Sequence, residues 1–127
     1  MNILVLNGSP RPQGDTAKMV AVFKESAERA GHEVCVINVC RREIKGCLAC
    51  EYCHGKGRGE CIQKDDMQEI YAQLRDTNML VLASPIYNDY RMAKSQKAFR
   101  RAALRRSKTA LLFCHILIAM STGRMIL

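Results

Sequence analysis

The sequence predicts an α/β domain built on a doubly wound parallel sheet of about four strands. Short apolar runs alternate along the chain with stretches of helical periodicity, the order that produces a parallel sheet with helices packed on it. The first of these runs, Asn2–Leu6, is continuously apolar after its first residue, as in a strand covered on both faces. Aromatic residues make up only 6% and Trp is absent, which suits an aliphatic parallel sheet better than an aromatic-rich β-sandwich.

The elements follow in order. Asn2–Leu6 reads as the first buried strand and ends at Asn7-Gly8-Ser9-Pro10. Asp15–Ala30 is a helix with Met19, Val20, Phe23 and Ala27 on one face, capped by Asp15 or Thr16 and ended by Gly31. Glu33–Val39 is a second strand, closing a βαβ unit. Arg41–Lys64 is irregular and rich in Cys and Gly, an insertion within the domain. Asp65–Asp76 is a helix capped by Asp65, with Met67, Ile70, Tyr71 and Leu74 as its buried stripe. Met79–Ala83 is the third strand, broken by Ser84-Pro85. Tyr90–Arg105 is a third helix, with Met92, Gln96, Phe99 and Ala103 roughly aligned, and Thr109–Cys114 is a fourth strand.

The totals limit the function classes. A chain of 127 residues is expected to be one domain. The net charge of +8 lies entirely in Arg91–Lys108, whose eight Lys and Arg residues have no acidic neighbour. The other twelve basic residues balance the twelve acidic ones. With no recognised DNA-binding motif and no interleaved aromatics, a solvated helix face is the favoured reading over nucleic acid or an acidic redox partner. The longest apolar run, Ala110–Met120, is eleven residues, too short for a membrane span. The N-terminus begins directly in a strand pattern with no signal-peptide features, so a cytoplasmic location is expected. In that reducing compartment the seven cysteines read as metal or redox ligands before disulfides.

Ligands of open α/β sheets bind at the carboxyl ends of strands where the winding reverses. Two loops follow strand ends, Asn7–Thr16 and Ser84–Tyr90. In the first, the hydroxyls of Ser9 and Thr16, the Arg11 guanidinium and the amides of the helix start can converge on a phosphate, with Gly8 and Gly14 permitting close approach. Neither a P-loop nor a G-x-G-x-x-G fingerprint is present. The alternative is a polar loop that merely caps a helix.

The second signal is Cys47-x2-Cys50-x2-Cys53-x7-Cys61. The spacing matches the C-x2-C-x2-C core of ferredoxin ligation, in which successive thiolates reach corners of one [4Fe-4S] cluster. Unligated thiols are the next reading. Zinc is third, because four-thiolate zinc sites are usually two separated C-x2-C knuckles. His54 is a further candidate ligand, although an adjacent lone His is more often solvated. Cys35, Cys40 and Cys114 are expected to be small buried hydrophobes.

In these residues the chain resembles the NADPH-dependent FMN reductase family and its iron–sulfur flavoprotein branch, which are flavodoxin-like three-layer sandwiches. The resemblance lies in the opening strand with Gly8-Ser9-Pro10-Arg11, the helix start Gly14-Asp15-Thr16, the cysteine motif, Lys64-Asp65-Asp66-Met67, and Ser84-Pro85-Ile86-Tyr87. It covers roughly residues 1–113. It implies that Ser9, Arg11 and Thr16, with Gly14 and Asp15 beside them, hold the phosphate of FMN. It also implies that Pro85, Ile86, Tyr87 and Asn88 wall the isoalloxazine ring. Asp15 stands where the family usually has Asn, so its carboxylate is expected to turn away and cap the helix. Family members are longer, so the chain is expected to be a shortened member with an atypical tail at Cys114–Leu127. The apolar flank left uncovered would favour a homo-oligomer.

The function so implied is transfer of electrons from NAD(P)H through FMN, by way of a cluster or directly, to a small-molecule or protein acceptor. No side chain is required as a general acid or base, so no catalytic residue is assigned. The alternatives are a non-enzymatic flavin electron carrier and an inactive fragment.

Overall fold

The computed structural model describes residues 1–85, 91–104 and 112–118, with side chains in 1–85 and 96–102. Its four strands are β1 (Asn2–Asn7), β2 (Glu33–Asn38), β3 (Met79–Pro85) and β4 (Leu112–Ile118). They form one sheet in the order β2-β1-β3-β4. Every pairing is parallel, with Leu4 opposite Cys35 on one side and Leu80 on the other. The order reverses direction between β1 and β3, which is the flavodoxin-like winding and puts a switch point at their carboxyl ends.

Side-chain alternation on β1 and β3 builds the three layers. Leu4, Leu6, Leu80 and Leu82 face α2 (Met67–Arg75) and α3 (Arg91–Leu104), meeting Met67, Ile70, Tyr71, Leu74, Ala98 and Ala102. Ile3, Val5, Val81 and Ala83 face the other way, toward Val20, Phe23 and Ala27 of α1 (Asp15–Arg29). Val5, Leu6, Leu80 and Val81 are completely shielded from water. Truncating one such leucine to alanine costs about 2–5 kcal/mol. A strand buried on both faces has no polar positions to spare, which explains the unbroken apolar runs.

The expected stripe on α2 is fully buried. Two other stripes differ from expectation. On α1, Met19 is 40% exposed while Val20 is buried, because successive helical residues point about 100° apart and Val20 is the one that joins the apolar cluster beneath the helix. On α3 the buried face is Ala98, Arg101 and Ala102, with Gln96 exposed and Phe99 partly buried. The side chains of Met92 and Ala103 lie outside the described residues.

Boundaries also shift. β3 continues through Ser84 to Pro85, which pairs with Ile118; a proline lacks only its N–H, a tolerable loss at a strand's last position. β4 covers Leu112–Ile118, past the expected end at Cys114 and into the expected atypical tail; residues 109–111 lie outside the described residues. Val39–Arg41 leaves β2 as a 3-10 turn. Gly31, at φ +83, ends α1 as expected, with its amide on the Glu28 carbonyl and His32 N–H on that of Ala27. Among the described residues no helix is long and apolar enough to cross a membrane.

Candidate functional site

The loop after β1 is anchored to the switch point. Gly8 N–H donates to the Ala83 carbonyl at the end of β3, at 2.7 Å. Asn7, 5% exposed, accepts the Ser9 amide on its Oδ1 at 3.0 Å and donates from Nδ2 to Asn38 Oδ1 at 2.9 Å. Ser9 Oγ in turn accepts the Arg11 amide and donates to the Arg11 carbonyl, both at 3.3 Å. The chain thus bends tightly and delivers Gly14 as the N-cap of α1.

Ser9 and Thr16 are buried hydroxyls, 6% and 4% exposed, and Gly14 lies between them in sequence. A Cβ at Gly14 would stand 3.1 Å from Arg11 Cβ and 3.6 Å from Ser9 Oγ. Glycine therefore lets the helix start close against the loop. No side chain caps that start, which corrects the expectation of a cap from Asp15 or Thr16. Asp15 does turn outward, to 4.0 Å from Lys18 Nζ; its attraction is to the neighbouring ammonium, and it leaves the first-turn amides to face other partners. Arg11 is exposed at the loop tip. Pro85 is buried at the end of β3. Ile86, Tyr87 and Asn88 lie outside the described residues.

The cysteine segment forms a second locus. Its neck is closed by two hydrogen bonds: Lys45 N–H donates to Asp65 Oδ2 at 2.9 Å, and Glu43 N–H to Asp66 Oδ2 at 2.7 Å. Asp65 Oδ1 also accepts the Met67 amide at 3.2 Å, so it does serve the start of α2, although the helix proper begins at Met67. Within the segment, Ala49 and Glu51 adopt φ of 52° and 54°. Left-handed residues thus flank Cys50 on both sides and bend the chain sharply there. Ala49 N–H approaches Cys47 Sγ at 3.4 Å. Gly57 packs where a Cβ would lie 2.5 Å from the Glu60 carbonyl and 2.6 Å from the Tyr52 ring.

Cys47, Cys50, Cys53 and Cys61 line one cavity of about 230 Å³, together with His54, Tyr71 and Arg101. The structure brings the four predicted ligands together, as free thiols. They are spread around the cavity: among the described residues no three His, Cys, Asp or Glu side chains come close enough to hold a single metal ion. Of the cysteines expected to be buried, Cys35 is exposed on the edge strand β2 and Cys40 is half-buried. Cys40 donates its S–H to the Ser9 carbonyl at 3.0 Å. The side chain of Cys114 lies outside the described residues.

Arg101 is the residue that sequence reasoning missed. It belongs to the basic run expected to form a solvated helix face, yet it is 2% exposed. It pairs with Asp65, whose side chain is also 2% exposed. Its Nε donates to Tyr71 Oη at 3.2 Å, Nη1 to the Lys45 carbonyl at 3.0 Å and Nη2 to Cys61 Sγ at 3.3 Å. Burial works against the Asp65 carboxylate, but the Arg101 guanidinium and the Lys45 and Met67 amides outweigh it and hold its pKa below the ordinary value. Burial likewise opposes the Arg101 charge, and Asp65 and Tyr71 together raise its pKa above the usual arginine value. A signal existed in the sequence: Ala98 and Ala102 mark the close-packed side of α3, and Arg101 lies on that side.

Comparison with known proteins agrees with this architecture. The family model described as NADPH-dependent FMN reductase matches residues 1–120. An iron–sulfur flavoprotein of Methanosarcina thermophila is 30% identical over 123 residues, 97% of this chain and 63% of that protein. One from Archaeoglobus fulgidus is 34% identical over 87 residues, 68% of this chain and 39% of that protein. The chain thus spans less than two thirds of the length of either relative. The crystal structure of RosB with a bound 8-demethyl-8-formylriboflavin-5'-phosphate intermediate shares the fold, with a TM-score of 0.61 at 17% identity over 91% of this chain and 52% of that one. The matched family model, the homologous sequences and the flavodoxin-like winding agree that this chain belongs to the NADPH-dependent FMN reductase family.

Proposed function

We propose that this chain binds FMN at the β1–β3 switch point and carries electrons from NAD(P)H through it toward an acceptor, with a [4Fe-4S] cluster on Cys47, Cys50, Cys53 and Cys61. The observation that carries the reading is the loop Asn7–Thr16. It places two buried hydroxyls, Ser9 and Thr16, against a helix start that no side chain caps. Such a start presents amide donors and the positive end of the helix dipole, which suit a phosphate. Ser9, Gly14 and Thr16 would form the cradle, Arg11 would close over it from the loop tip, and Asp15 stays turned to Lys18. Pro85, with Ile86, Tyr87 and Asn88 beyond it, would wall the ring. Bound there, the flavin would supply two-electron acceptance from nicotinamide and one-electron release.

The residues of the second locus fit an iron–sulfur group. Four thiols line one cavity, and two of their sulfurs already meet N–H donors. The C-x2-C-x2-C spacing suits a multi-iron group better than one zinc ion, whose four-thiolate sites are usually two separated C-x2-C knuckles. Self-association belongs to the same reading, supported by an apolar groove on the α1 face lined by Val5, Met19, Val22, Phe23 and Val81.

Calorimetric titration of the purified chain with FMN tests the flavin site. Saturable binding that weakens in Ser9→Ala is the expected result; no heat with either protein overturns the reading. Stopped-flow mixing of the FMN-loaded chain with NADPH then separates a reductase, whose flavin bleaches within seconds, from a carrier, whose flavin stays oxidised.

A further inference from the structure

Arg101 has a chemistry that binding of the flavin does not use. Its side chain and that of its partner Asp65 are each only 2% exposed. Arg101 sits at the neck of the cysteine segment, where Lys45 and Asp65 bracket its two ends. Its guanidinium is used on all sides. The Nη1 corner meets Asp65 and the Lys45 carbonyl, Nε meets Tyr71 Oη, and the Nη2 corner meets Cys61 Sγ. A lysine could not do this, because its three donors radiate from one point, whereas the planar fork reaches separate acceptors in fixed directions.

The arrangement is polar in a directed sense. Asp65 neutralises the far side of the guanidinium, and the N–H on the cavity side points at sulfur. The guanidinium carbon lies 5.6 Å from the Tyr71 ring centroid, within reach of a cation–π attraction. An N–H bond to a cysteine sulfur favours whichever redox state puts more negative charge on that sulfur. For a cluster held by thiolates that is the reduced state, and hydrogen bonds to the sulfurs are among the features that set cluster potentials.

We infer that Arg101 is a positioning residue that fixes Cys61 in the ligand set and raises the reduction potential of the iron–sulfur group held there. The inference rests on the reading that Cys47, Cys50, Cys53 and Cys61 carry such a group. It makes α3 part of the redox site, through a residue far in sequence from the cysteine motif.

The test is anaerobic reconstitution of the full chain with ferrous iron and sulfide, followed by spectroelectrochemical titration with dithionite as the one-electron donor. Three proteins are compared: wild type, Arg101→Lys, and Arg101→Met combined with Asp65→Asn, which removes the charge pair without leaving either partner buried alone. At equal iron content the double variant is expected to lose about tenfold in the relative stability of the reduced state, a downward shift of about 59 mV for one electron. Arg101→Lys should fall between it and wild type. Equal midpoints in all three overturn the inference while leaving the cluster reading intact. If the double variant folds but takes up no iron, Arg101→Lys decides: a lowered midpoint supports the inference and an unchanged one overturns it. A wild-type chain that binds no iron overturns the cluster reading, and the inference falls with it.

Discussion

Replacing Arg101 by Met tests the account of the buried pair most directly. Met retains the aliphatic stem but removes the guanidinium, so Asp65 remains at 2% side-chain exposure with only the amides of Lys45 and Met67 as donors. Breaking a buried ion pair by deleting one partner costs about 3–5 kcal/mol. The carboxylate can escape by taking up a proton. At pH 7 that costs about 4 kcal/mol from its ordinary pKa of about 3.9, at 1.36 kcal/mol per unit. The two routes agree, so a loss of about 4 kcal/mol is expected, from a total of about 5–15 kcal/mol for a domain. With a urea m-value near 2 kcal/mol/M, the unfolding midpoint should fall by about 2 M. The assay is urea unfolding followed by far-ultraviolet circular dichroism at pH 7 and pH 4. The deficit should shrink at pH 4, where protonation is nearly free. Adding Asp65→Asn should recover most of it at pH 7. A loss under about 1 kcal/mol for Arg101→Met would refute the reasoning, since that is the value of an exposed pair. So would a double variant as unstable as the single one.

Further outcomes follow from the same contacts. Because the Asp65 pKa is lowered in the folded state, its contribution to stability is fully present above the unfolded value near 3.9 and is lost as pH falls through the lower folded value; acid titration of Asp65→Asn should therefore show a shallower loss below pH 4 (about) than wild type. Gly57→Ala forces a Cβ against the Glu60 carbonyl and the Tyr52 ring, and overpacking of about 1–3 kcal/mol should speed proteolytic cleavage within residues 46–64 while leaving the global unfolding midpoint unmoved. Ser9→Ala deletes a hydroxyl that shapes the loop through Arg11; FMN affinity should fall about tenfold or more by calorimetry, as for a hydrogen bond to a charged group. Cys40→Ser keeps a donor to the Ser9 carbonyl, so its FMN affinity should match wild type, whereas Cys40→Val should weaken it.

The layer architecture was legible in the chain alone, because doubly covered strand positions must be apolar and Ile3–Leu6 and Met79–Ala83 are. The α2 stripe was legible too, where all four expected residues are buried, and the clustered cysteines declared themselves by spacing and line one cavity. The errors were at ends and edges. The extensions of β3 to Pro85 and of β4 to Ile118 depend on what pairs alongside, and no local pattern encodes a neighbour. Cys35 reads as a core residue in its own strand, yet it is exposed because β2 lies at the sheet edge. Only the tertiary structure decided the role of Arg101. Seven neighbouring cations in the same run carry the same local signature of a wet face. What separates Arg101 is a carboxylate and a phenol from α2 and its approach, brought to it by packing across 36 and 30 residues of chain. A charge can be buried only where its partner already waits, and that condition is met in three dimensions.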